Sequence, residues 1–160
     1  MSAMPPPLPA YRSRGARALV LLHERELRAS IETWRRARAA GVHLPATEDP
    51  SYASLEHLLR HVLRAARGYM TWICEQLSLP DPGIRATPEA DALPAELDAY
   101  LEHVCERWRT PLADVADEAL EPATYLSRWK VPYSIDGMLE HAVMHPIRHA
   151  LQLEELLQSA

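Results

Sequence analysis

The sequence predicts an all-α, four-helix bundle in a single domain, and three observations carry that prediction. The five glycines and fourteen prolines of the 160 residues sit mostly in clusters, leaving four long gaps between them. Each gap is rich in Ala, Leu, Glu and Arg, the strong helix formers. Runs of alternating β-branched residues are absent. At roughly 150 residues per domain the length fits one domain, enough to bury a core without disulfides.

The elements follow in order. Pro5, Pro6, Pro7 and Pro9 make residues 1–12 a Pro-rich arm expected to be disordered, with the domain over 13–160. The first helix spans roughly 17–40 and stops at Gly41, where a C-terminal cap belongs. Asp49-Pro50, a cap residue followed by proline at the first helical position, opens the second, roughly 51–79. Pro94 opens the third, roughly 95–119, and Ser134 with Asp136 opens the fourth, roughly 133–158. The linkers 80–93 and 120–133 are each about fourteen residues long, against the roughly 2–8 usual between bundle helices. Extended, fourteen residues reach ~46 Å, more than the ~38 Å of a 25-residue helix. Either linker could cross the bundle and return the next helix parallel to its predecessor; linker length alone does not choose.

Composition removes several classes. Charged residues are 24% and apolar ones 48%, the balance of a folded globular chain. No apolar run approaches the ~20 residues of a membrane span, and the first ten residues lack a signal-peptide pattern, so a cytoplasmic protein without membrane partners is expected. Cys74 and Cys105 have no CxxC spacing and read as reduced thiols. The net charge of −5 argues against a general nucleic-acid binder. Residues 1–40, however, hold eight Arg and three Glu. That first helix reads as a solvated face for an acidic neighbour or, less simply, as a nucleic-acid footprint. Trp34, Trp72, Trp108 and Trp129 are spread through segments and linkers, as packing residues would be.

Five of the eight histidines lie in two places: His57 and His61 on the second helix, and His141, His145 and His149 on the fourth. A spacing of four puts each set on one face. With His145 at zero on a wheel of ~100° per residue, His149 falls near 40° and His141 near −40°, while the apolar stripe runs from about 20° to 140°. His149 therefore faces the core, His145 its edge and His141 water. On the second helix His61 lies at the stripe's edge and His57 outside it. One inward His can meet an inward HxxxH pair, and three imidazoles with an open fourth position make a catalytic type of metal site. His23, His43 and His103 lack such partners and read as surface or packing residues. No Glu lies three residues before any His, which removes the carboxylate-bridged dimetal pattern. HExxH, a phosphate loop and GxSxG are also missing.

The second helix reads SLEHLLRHVLRAARGYM and the fourth LEHAVMHPIRHALQL, preceded by Trp129 and a Pro-containing loop. These stretches resemble the DinB/YfiT-like superfamily of four-helix metalloenzymes, whose last helix bears a pattern like H-x3-H-x-x-Q. His145, His149 and Gln152 match it, and His61 matches the family's ligand on helix 2. Over about residues 15–158 the resemblance implies an up-down-down-up bundle with a long crossover between helices 2 and 3. It implies a divalent metal (nickel, zinc, iron or manganese, by member) held by His61, His145, His149 and solvent. Members with assigned chemistry include transferases and isomerases that use a low-molecular-weight thiol; many have none assigned. Ala150-Leu151-Gln152 departs from the Arg-Gly-Gln or similar that members commonly carry. Pro146, between two expected ligands, should kink the helix.

The expectation is a metal-dependent transferase or hydrolase acting on a small-molecule substrate at the three-histidine centre. Gly68 would leave room for substrate on the His61 side, or mark a close helix contact. His141, level with Gly68 in an antiparallel pair, and His57, near Gln152, are the candidate catalytic acid/base groups. The alternative is a non-catalytic metal-binding or stress-response module of the same fold. A homodimer is the default assembly.

Overall fold

Four α-helices surround one apolar core in the computed structural model, which describes residues 7–121 and 123–160. They are α1 (Arg14–Ala39), α2 (Leu55–Gln76), α3 (Leu93–Trp108) and α4 (Ile135–Gln158). Single turns of 3-10 helix at Pro50–Tyr52 and Asp117–Ala119 lie in the connections. So does an antiparallel hairpin of β1 (Tyr125–Leu126) and β2 (Pro132–Tyr133).

Local chemistry sets the helix ends. Ser13, Ser54 and Ser134 each accept a backbone N–H of the first turn, from Ala16, His57 and Gly137 respectively. Gly41, at φ +67°, closes α1: its own N–H reaches Arg38 O and the N–H of Val42 reaches Ala37 O. That pair of bonds satisfies carbonyls the helix leaves over.

Two sequence boundaries move by four residues or more. Asp49-Pro50 starts only a 3-10 turn, because Ser54 is extended (φ −160°) and α2 begins behind it. The third helix ends at Trp108 rather than near 119, since Pro111 has no N–H to continue it and disfavours the helical region for Thr110. The hairpin is an addition to the all-α expectation. Its two-residue strands are too short to show alternation, and a Ser127–Lys130 turn, with Lys130 at φ +64°, joins them.

The expected arm divides. Residues 1–6 lie outside the described residues, but 7–12 are docked, contrary to a disordered stretch through residue 12. Leu8 and Tyr11 pack on the core, and the Tyr11 hydroxyl donates to Arg109 O at 2.5 Å. The Arg12 N–H donates to Ala113 O at 2.9 Å.

Cross-helix bonds fix the neighbours. The Trp34 indole N–H donates to Leu55 O (2.6 Å), and that of Trp108 to Ala66 O (2.9 Å). The arginines of α1 meet acidic neighbours: Arg28 pairs with Glu102 and Arg35 with Asp98 on α3, Arg38 with Glu56 on α2, and Arg36 with Glu154 on α4. Arg109 and Arg28 share Glu24. In the segment between α2 and α3, Ile84 O accepts from Arg67 and Pro88 O from Arg60.

His23 is a packing residue, buried in α1 and stacked on Trp108 with ring centroids 3.6 Å apart. Its Nε2 is buried without a partner, and burial pushes its pKa down to about 3. The unfolded chain protonates this ring near 6.5, so below that pH the unfolded state binds the extra proton and stability falls with pH. Between pH 6.5 and 5 His23 alone should remove about 2 kcal/mol. Urea unfolding at the two pH values should show that loss, and His23→Leu should reduce it; an undiminished loss in the variant would place its origin elsewhere.

Candidate metal centre

Three expected ligands converge from two helices. His61 stands near the start of α2, and His145 and His149 one turn apart on α4, which runs as one helix through Pro146. Their ligating atoms all lie within 4.8 Å of one another, a group that could hold a metal ion. Nε2 of His61 and Nε2 of His145 are 3.0 Å apart. Two nitrogens bound tetrahedrally at ~2.05 Å would stand ~3.3 Å apart, so the spacing suits a shared ion. The donor set is three imidazoles without carboxylate or thiol, which suits zinc and its first-row neighbours. Cys74 and Cys105 are buried away from it, their thiols pushed up by burial to about 11 and about 12.

Outer partners orient two of the rings. His149 Nδ1 lies 2.9 Å from Gln152 Oε1, which also accepts the Tyr52 hydroxyl at 3.1 Å. An amide oxygen only accepts, so His149 carries its proton on Nδ1 and offers Nε2 as a lone pair. His61 Nδ1 is 3.3 Å from Ser51 Oγ. His145, 6% exposed, is more enclosed than its place at the stripe's edge suggested, and its Nδ1 is buried without a partner. Burial holds all three rings below the usual histidine range, His145 at about 2, with positive neighbours adding to the shift. The neutral, metal-competent form therefore prevails at pH 7.

A cavity of about 600 Å³ opens beside the cluster, between α2, α4 and the β1–β2 turn. His141 lines it instead of facing water, because the hairpin folds over that side of α4. Its ring centroid is 5.2 Å from Trp129 and 5.5 Å from both Tyr69 and Tyr133. Burial, reinforced by the charge of Arg148, lowers its pKa. Gly68 also lines the cavity, but a Cβ there would meet Arg128 Nη1 at 3.5 Å, so the space the glycine leaves is occupied by an arginine from the hairpin turn.

His57 is not brought to the site. It is exposed, and its Nδ1 turns back to the Ser54 hydroxyl (2.8 Å) at the α2 cap. Tyr52, not His57, reaches Gln152. His43 is exposed and His103 accepts the Arg85 N–H, so neither joins the cluster. Ser51 and Tyr52 escaped sequence reasoning because the 3-10 turn that carries them read as helix. Arg64 and Arg148, which line the cavity, each follow a ligand by three positions and were legible on the wheel; Arg128, in a turn, was not. The chain matches no family model, no curated protein and no solved structure at a significant level, so its function is read from these residues.

Proposed function

We propose that the chain is a DinB-like metal-dependent enzyme acting on a small molecule beside a divalent ion held by His61, His145 and His149. The carrying observation is the convergence of three neutral imidazoles at one end of a cavity large enough for a metabolite-sized ligand. Nickel, zinc, iron or manganese held there supplies a Lewis acid and a nucleophile of lowered pKa. Gln152 keeps the His149 proton on Nδ1. Tyr69 and Trp129 give the cavity an aromatic wall beside His141. His141, neutral at pH 7, accepts a proton on a ring nitrogen as general base and returns it. The reaction is transfer with a low-molecular-weight thiol or hydrolysis.

The bundle runs up-down-down-up in this reading, with residues 77–92 as the long crossover. Support comes from the partners: Arg67 meets Ile84 and Arg60 meets Pro88, in the order of a segment returning along α2. Arg35–Asp98 and Arg28–Glu102 run oppositely along α1 and α3, while Arg36–Glu154 joins the ends of α1 and α4.

Elemental analysis of protein purified without an affinity tag should find close to one first-row metal per chain, and chelation should remove it with the helices retained. In the cobalt-substituted protein a sulfur-to-metal charge-transfer band on adding glutathione, mycothiol, bacillithiol or coenzyme A selects thiol transfer; no band with any of them selects hydrolysis. Protein that holds no metal from any first-row salt would overturn the proposal.

A further inference from the structure

The cavity beside the histidines has the opposite charge to the chain. Net charge is −5, yet the cavity wall holds Arg64 from α2, Arg128 from the hairpin turn and Arg148 from α4, and no Asp or Glu. Seven arginines elsewhere meet carboxylates, among them Arg28 and Arg109 on Glu24 and Arg60 on Glu89, whereas this wall gathers three with no acidic residue in its lining. Among the described residues none of the three cavity arginines forms an ion pair. Three guanidinium groups gathered without a counter-charge repel one another and draw small anions from solution. Between them the wall is apolar and aromatic, with Trp72, Trp129 and Met138. The Arg128 guanidinium lies over α2 at Gly68, where an added Cβ would touch its Nη1 at 3.5 Å.

We infer that the cavity takes a small organic acid, its carboxylate at the arginine rim and its apolar body against Trp72, Trp129 and Met138. This rests on the metal-dependent reading of the same site and names its ligand class. Arginine matches a carboxylate with paired N–H donors, and a fork offered from three elements selects for charge more than for shape. The carboxylate belongs either to the substrate or to a thiol cosubstrate.

The test is calorimetric binding of 3-phenylpropionate and of the neutral 3-phenylpropionamide to metal-free and zinc-loaded protein. The acid should bind in the millimolar range or tighter in both forms, and the amide roughly tenfold more weakly. Arg128→Gln and Arg148→Gln, both at exposed positions, should each weaken the acid roughly three- to tenfold and leave the amide unchanged. Arg14→Gln, an exposed arginine outside the cavity, serves as the charge control and should bind like the parent. Displacement of the acid by S-methylglutathione assigns the rim to the thiol's carboxylates, and absence of displacement assigns it to the substrate. Equal binding of acid and amide, or no binding of the acid at millimolar concentration, overturns the inference. Acid binding that needs zinc and ignores both arginine variants also overturns it, while sparing the metal reading. Arginine-dependent binding by a protein that retains no zinc does the reverse.

Discussion

Replacing His145 with alanine should abolish tight metal binding and leave the helices in place. His145 meets both other members of the cluster: its ring centroid lies 4.9 Å from that of His61 and 4.7 Å from that of His149, which are 5.1 Å from each other, and its Nε2 faces the Nε2 of His61. Two imidazoles left on different helices form a poor site, so affinity should fall more than a hundredfold, beyond the ~10–100-fold expected for loss of an orienting partner. Gln152→Ala supplies that smaller figure, because it frees the His149 ring without removing a ligand. His57→Ala should change nothing, its side chain being spent on the α2 cap. The fold should survive because four amphipathic helices bury the core without help, unlike a zinc finger. Competition against a chromophoric chelator, with far-ultraviolet circular dichroism on the same samples, reads both effects. Near-stoichiometric metal in His145→Ala would remove His145 from the ligand set. Loss of helical signal on chelation would make the ion structural and leave the proposed chemistry without a basis.

The three-histidine cluster was legible because it is a helical pattern. His145 and His149, like His57 and His61, recur at a spacing of four on amphipathic segments, and a wheel of 3.6 residues per turn places His149 inside the apolar stripe and His61 and His145 at its edge. The orienting shell was legible only in part. Gln152 shares the helix with His149 and fell within the motif, whereas Tyr52 acts from a separate turn whose placement depends on the break at Ser54. The cavity wall was the least legible. Trp129 and Arg128 reach it from a hairpin of two-residue strands, held by Ser127 accepting Val131 N–H and by the Trp72 indole donating to Leu126 O. One is a local turn bond and the other a tertiary one, and neither has a periodic signature. His141 shows the consequence: its wheel position pointed to solvent, and only the hairpin turns that face into a cavity.

Trp108→Ala should be the most destabilising single change in the core. The side chain is 1% exposed, its indole N–H reaches Ala66 O on α2, and its face stacks on His23 of α1. One residue at the end of α3 thus joins three helices. Truncation removes the buried ring and leaves a cavity, a loss of about 3–5 kcal/mol, against the ~5–15 kcal/mol that holds a domain of this size folded. Melting should drop by about 10 °C or more. Trp108→Phe keeps a ring for the stack and gives up the indole N–H, so it should cost about 1–2 kcal/mol. Urea titrations of the two variants and the parent measure both numbers, and a cost below about 1 kcal/mol for alanine would show that the three helices do not depend on this contact. The pH dependence adds a check independent of the magnitude. With the indole gone, water reaches the His23 ring and its pKa returns toward 6.5, because burial is what lowered it. Trp108→Ala should therefore lose less stability between pH 6.5 and 5 than the parent, while Trp108→Phe, still covering the imidazole, should keep the parent's slope.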